Sequence, residues 1–180
     1  MEPVGAVQVR VADTTHTQEL AAVAARTFPL ACPPSSTSEN IAAFIEAHLR
    51  AERFAEYVTD PDHLVLVAEV DNRIVGYCML IRGVPDDADV QRAVTVRPTA
   101  ELSKMYVLPE NHSTGAAAAL MEAAVDHAPA MSARSLWLGV NQENVRAQRF
   151  YAKHGFVING TKTFQLGAVV ENDYVMVRSV

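Results

Sequence analysis

The chain has 180 residues, 49% of them apolar and 20% charged, with a formal charge of −6. That length is most simply one domain, 1–180, with enough chain to bury a substantial core. The acidic balance and the lack of a dense Lys/Arg tract exclude phosphate-backbone binding as the main task, and no apolar run reaches membrane-spanning length.

Residues 8–12 alternate polar and apolar side chains and read as a first strand. Residues 14–28 carry a helical pattern (Leu20, Val23, Ala24) capped near Asp13 or Thr14, and the Pro-rich stretch 29–36 is expected to break it. Ser38 is the expected N-cap of a helix over 39–50, with Ile41, Phe44, Ile45 and Leu49 on one side, and a short helix follows over 51–57. Residues 63–70 and 73–82 read as a hairpin turning at Asp71-Asn72. Little regular structure is expected from Pro85 to Pro98.

Residues 100–107 form a strand that runs into a polar turn, Pro109 to Thr114, and then into an alanine-rich helix opened by Gly115. Ala117, Leu120, Met121, Ala124 and Val125 mark its buried face, and Pro129 is its expected stop. Free N–H groups at a helix start, with the macrodipole behind them, favour a phosphate, and a glycine there lets a ligand approach backbone. No Lys-Ser or Lys-Thr follows the glycine, which speaks against a nucleoside-triphosphate loop. The apolar run 135–140 suits a buried central strand, and 144–154 a helix closed by Gly155. Strands over 156–166 and 171–178 complete a mixed α/β chain, one twisted sheet covered on both faces.

Cys32 and Cys78 match no metal spacing and are expected as free thiols; no metal is expected. The N-terminus has no basic region followed by a hydrophobic core, so a cytoplasmic protein is the expectation. The acidic balance would suit a cationic substrate through long-range attraction, with Glu39, Glu46, Asp86, Asp87 and Asp89 expected near its site.

Two stretches carry a family resemblance. Val107, His112, Gly115 and Ala117 stand at the spacing of the coenzyme A loop of the GNAT N-acetyltransferases, in which a valine, an Arg or Gln, a glycine and a Gly or Ala recur. His112 departs from that pattern. Asn144 and Tyr151, followed by Gly155-Phe156, resemble the second GNAT motif; seven residues apart on a helix, they share one face. Thr27-Phe28 before a helix containing Glu39-Asn40-Ile41, Glu101 to Val107, Leu136 to Asn141, and the tail from Gly160 to Gly167 followed by Asp173-Tyr174-Val175-Met176 are similar to the PaiA-like spermidine/spermine acetyltransferases.

The resemblance implies a twisted, mostly antiparallel sheet of six to seven strands flanked by helices on both faces. It implies direct acetyl transfer from acetyl-CoA to a primary amine, a polyamine leading among acceptors. Backbone N–H groups of His112, Ser113, Thr114, Gly115, Ala116 and Ala117 would take the pyrophosphate. Backbone groups of Met105 and Val107, with Tyr106 between them, would meet the pantetheine arm, and one amide would polarise the thioester carbonyl. Asn144 would donate to the coenzyme, or cap its own helix. Tyr151 is the expected acid for the departing sulfur. Some relatives place a glutamate base where this chain has Gly139, so Glu101, acting through water, is the substitute; its structural reading is an exposed carboxylate or a partner of Lys104. His112 lacks arginine's fixed fork.

The expected partner is a small-molecule amine, with neither nucleic acid nor membrane, and a homodimer stays open. A protein lysine or another small amine stays open as acceptor. So does a module that binds an acyl-CoA without catalysis, to which Gly139 and His112 lend support and Tyr151 and Asn144 do not.

Overall fold

The structure, a computed structural model, describes residues 5–180. Strands β1 (Gln8–Val11), β2 (His63–Val70), β3 (Arg73–Arg82), β4 (Thr99–Val107), β5 (Ser135–Asn141), β6 (Val157–Leu166) and β7 (Val169–Ser179) form one sheet in the order β1-β2-β3-β4-β5-β7-β6. Every neighbour pair is antiparallel except β4 and β5. The helices are α1 (Thr17–Ala31), α2 (Ser38–His48), α3 (Ala51–Thr59), α4 (Ala88–Ala93), α5 (Ala116–His127) and α6 (Val145–Lys153).

Turn chemistry accounts for the connections. Asp71 and Asn72, at φ 51° and 64°, make the tight β2–β3 hairpin, a left-handed pair that Asp and Asn tolerate. The Asp13 carboxylate accepts from the Thr15 N–H at 2.8 Å and starts a 3-10 turn that leads into α1. Thr37, not Ser38, caps α2, its hydroxyl accepting from the Asn40 N–H at 3.1 Å. Pro29 does not break α1, which runs on to Ala31: in the last turn it forfeits one hydrogen bond without losing the helix. The expected irregular stretch before Pro98 contains α4, where the Asp87 carboxylate accepts from the N–H groups of Asp89 and Val90. α5 ends at His127, and Pro129 sits inside a following 3-10 turn.

The core has two main halves, one on each side of the sheet. On one face Leu20, Val23, Ala24 and Phe28 of α1 and Phe54 of α3 pack on Val65, Val67, Tyr77 and Met79. On the other, Ala116, Leu120, Met121 and Ala124 of α5 cover Leu66, Cys78, Leu80, Leu136 and Leu138. α4 closes a smaller patch over Trp137 and Val175.

Two irregularities in β4 position the site. Its parallel ladder with β5 covers Thr99–Glu101 against Ser135–Trp137 and then stops, so the strands part. Against β3, Met79 pairs with Lys104 and Leu80 with Leu102, which leaves Ser103 as a bulge. The extra residue shifts the alternation. Ala100 and Leu102 belong to the α5 side before it, and Met105 and Val107 belong there after it. Tyr106 therefore faces the α1–α3 side, and the Lys104 ammonium lies 5.9 Å from the centre of the Tyr57 ring of α3.

Gly76 of β3, paired with Val107, keeps this half of β4 close. A Cβ at Gly76 would lie 2.8 Å from the Tyr106 carbonyl oxygen and 2.9 Å from Val107 Cγ2. Gly76→Ala is expected to cost about 1–3 kcal/mol in urea unfolding by overpacking at the strand interface; an unchanged midpoint would show that β4 can retreat freely.

Candidate active site

A cleft of about 600 Å³ opens where β4 and β5 part. Residues 101–107 form one wall and Gly139, Val140 and Asn141 the other; α6 and the start of α5 lie at one end, and Phe28, Cys32, Phe44 and Phe164 at the opposite end. Past Glu101 the β5-facing edge of β4 has no strand partner, so its backbone groups are free to bond an extended ligand. Met105, Tyr106 and Val107 all lie on this wall.

Gly115, at φ 82°, turns the chain into α5 in a conformation that costs an L side chain about 1–2 kcal/mol. Not every N–H expected at this turn is available. His112 N–H donates to Pro109 C=O at 3.2 Å and Thr114 N–H to Asn111 C=O at 3.2 Å. The N–H groups of Ser113, Gly115, Ala116 and Ala117 donate to no group among the described residues. His112, Gly115, Ala117 and Ala118 line the cleft, whereas Ser113, Thr114 and Ala116 do not. The Thr114 hydroxyl instead ties the turn together by donating to Asn111 C=O at 2.7 Å.

His112 has a defined place. Its Nε2–H donates to Val107 C=O at 3.0 Å, which leaves Nδ1 to accept from Arg146 Nη2 at 3.0 Å. Arg146 lines the cleft from α6, so the fixed positive charge missing at 112 arrives from 34 residues further along the chain. A sequence reading passes over Arg146 because nothing local links it to the loop.

Asn144 and Tyr151 both line the cleft on one face of α6, as their spacing requires. Asn144 Oδ1 accepts from the Ala147 N–H at 3.2 Å and caps the helix, which leaves its amide N–H groups without a protein acceptor among the described residues. Tyr151 is braced edge-on by Phe150 and Phe156, with ring centres 5.6 Å and 6.0 Å away. Burial, and then the nearby Cys78 thiol, push its phenol up to about 12.

The remaining wall is charged. Burial raises the Glu101 carboxyl above the usual range, opposed by Lys162 and Lys104. Lys104 is lowered by burial, with Glu101 pulling it back. Lys162 and Asp173 stand opposite one another across β6 and β7, Nζ to Oδ2 at 3.4 Å. Glu171 lies beside them, accepting from Ser35 at 3.0 Å and from Asn141 at 3.4 Å. None of Glu39, Glu46, Asp86, Asp87 and Asp89 lines the cleft. The acidic groups that do, besides Glu101, are Glu171 and Asp173 of β7. Cys32 lines the cleft as a free thiol raised to about 11, first by burial and then by Glu171; Cys78, free and buried in the sheet, is raised to about 12 by burial.

An open strand edge that leads to bare helix N–H groups and a guanidinium suits a long ligand with amides along its arm and phosphates at its end. That is how a coenzyme-dependent acyltransferase is built. Residues 24–156 match the Acetyltransferase (GNAT) family, to which the chain belongs, and it is an N-acetyltransferase of that family. It is 60% identical over 166 residues to an uncharacterized N-acetyltransferase of Mycobacterium tuberculosis, covering 92% of this chain and 99% of that one. A second relative, an uncharacterized N-acetyltransferase of Lactobacillus delbrueckii subsp. lactis, is 25% identical over 90% of this chain and 91% of its own. Among solved structures, the PaiA N-acetyltransferase of Thermoplasma acidophilum in complex with coenzyme A superposes with a TM-score of 0.76 at 19% identity, covering 97% of this chain and 99% of that one. A GCN5-related N-acetyltransferase of Rhodopseudomonas palustris stands at 0.72 and 18%, covering 100% and 99%.

Two variants separate the parts of the α5 end of the cleft. A Cβ at Gly115 would meet nothing within 4 Å, so Gly115→Val acts through its backbone angle. It is expected to weaken CoA binding at least tenfold in calorimetry while the fold survives; unchanged affinity would remove the loop from the site. Arg146→Ala is expected to weaken CoA binding at low salt and flatten its salt dependence, because the guanidinium charge is gone. A retained salt slope would assign that charge to another residue.

Proposed function

We propose that this chain, as one GNAT-type domain over 1–180, moves an acetyl group from acetyl-CoA to a primary amine by direct attack while both are bound. The observation that carries the reading is the parted β4–β5 edge, with bare α5 N–H groups at its end and Tyr151 on the facing helix. Met105, Tyr106 and Val107 would offer backbone groups to the pantetheine arm. Gly115 and Ala117, the members of the expected set whose N–H groups are bare and which line the cleft, would offer donors to the pyrophosphate, with Arg146 and His112 beside them and the Asn144 amide adding a donor. A strand amide aimed at the thioester carbonyl would stabilise charge that develops there.

An alkylamine, with a pKa near ~10.4, arrives protonated. Glu101 is the proposed proton acceptor, through water, its raised carboxyl better matched to that task than a free one. Tyr151 is the proposed proton donor to sulfur: at about 12 its phenol keeps the proton over the whole working range. A small, cationic, polyamine-like acceptor is favoured, since the wall carries Glu101, Glu171 and Asp173 against Lys104 and Lys162. Neither nucleic acid nor membrane enters this reading, and no helix among the described residues is long and apolar enough to cross a membrane.

Thiol release from acetyl-CoA across a panel of amines, spermidine and spermine included, tests the proposal. Amine-dependent release supports it; CoA binding with no release for any amine would leave a binding module. Tyr151→Phe is expected to lower kcat by ~10²–10⁴-fold, the usual worth of a positioned acid. Because the phenol titrates near 12, it contributes no falling limb below pH 10, and the shape of the profile there is expected to survive the substitution. A Phe variant with the parent's kcat would reduce Tyr151 to packing.

A further inference from the structure

Asp173 is the most enclosed carboxylate of the cleft, 7% exposed, yet it lines the open space. Its Oδ2 faces Lys162 at 3.4 Å, and Oδ1 accepts no hydrogen bond from any described residue. The two carboxylates nearest it in role are placed differently. Glu171 has one oxygen on Ser35 and the other on Asn141, while Glu101 stands across the cleft on β4. The groups that face Asp173 are Lys162 from β6, Glu171 from its own strand and Tyr106 from β4.

Gly139 makes room for this arrangement. A Cβ there would run into Lys162 Cε and lie 3.1 Å from Asp173 Oδ2, so only glycine lets the lysine stem lie across β5 and reach the carboxylate. Lys162 leans on the Phe164 ring, 5.8 Å from Nζ to its centre, and Phe164 meets Phe44 edge-on at 5.8 Å, on the α1–α3 side of the sheet. That is the side away from α5, where the coenzyme loop lies.

The geometry points to Asp173 as the residue that receives the acceptor's ammonium, with Lys162 as a tethered ammonium holding the place until the acceptor arrives. This deepens the amine-acceptor reading and rests on it. A buried carboxylate with a free oxygen offers a charge-assisted bond that a neutral acceptor cannot match. The neighbouring lysine then does two things. It keeps Asp173 ionised, and by like-charge repulsion it offsets part of the rise in proton affinity that the carboxylate gives the docked amine. Asp173 is thus a specificity residue for the charged end, and Lys162 tunes it.

The test uses n-butylammonium chloride and n-butanol as probes, titrated by NMR at pH 8 into the CoA-saturated protein. The parent is expected to bind the ammonium at least tenfold more tightly than the alcohol. Asp173→Asn is expected to erase that preference with CoA affinity unchanged. Lys162→Met, which removes the tethered competitor, is expected to bind the ammonium several-fold more tightly than the parent, a direction that damage to the fold would not produce. A preference retained in Asp173→Asn, or lost in Glu101→Gln instead, overturns the assignment; so does a parent without preference. A preference for the ammonium that depends on Asp173, together with no thiol release for any amine, would sink the small-amine acceptor reading and leave the subsite standing.

Discussion

The site depends on one interrupted ladder. β4 and β5 pair in parallel for three residues and then separate, which forgoes hydrogen bonds that a continuous sheet would make. Unpaired backbone groups are tolerable only where water or a ligand can reach them, and the cleft meets that condition. The Ser103 bulge lies two residues beyond the last pair, so one added residue accompanies the parting and re-aims the rest of the strand. It brings Lys104 and Tyr106 to the α1–α3 face while Met105 and Val107 stay with α5. On the other edge Gly76 and Val107 hold β4 against β3, so the strand parts from one neighbour without leaving the other.

The two ends of the cleft handle charge in different ways. At the α5 end, positive character comes from partial charges on helix N–H groups and from one guanidinium that donates to an imidazole nitrogen. At the other end formal charges of both signs are enclosed together, so each burial cost is offset in part by a neighbour. Glu101, Lys104, Lys162 and Asp173 come from three strands, β4 giving two of them and β6 and β7 one each, with Gly139 of β5 as the gap between.

Much of this was legible because it is local. The seven-residue step from Asn144 to Tyr151 can only mean a shared helix face, Gly115 before an alanine run marks a helix start, and Asp71-Asn72 marks a hairpin. The parts that stayed hidden depend on distance in the chain or on brevity. α4 has six residues, too few to show a period, although Asp87 is a good cap in retrospect. The partnership of His112 with Arg146 requires α6 to pass over the turn. The Lys162–Asp173 pair requires the β6–β7 register, which a bulge at Asn159 shifts by one residue. The Ser103 bulge did leave a trace: apolar positions 100 and 102 are followed by 105 and 107, a change of parity that alternation alone does not allow.

The thiol of Cys32 opens onto the same space as the amine and the thioester would. Only a thiolate attacks a carbonyl at a useful rate, and with its pKa near 11 about one Cys32 in a thousand is ionised at pH 8. As a nucleophile this thiol is held mostly in its unreactive, protonated form. With Cys78 sealed in the sheet and raised further, the chain has no cysteine suited to carry the acetyl group between donor and acceptor. A kinetic scheme in which the acetyl group rests on a cysteine while CoA departs finds no activated thiol here.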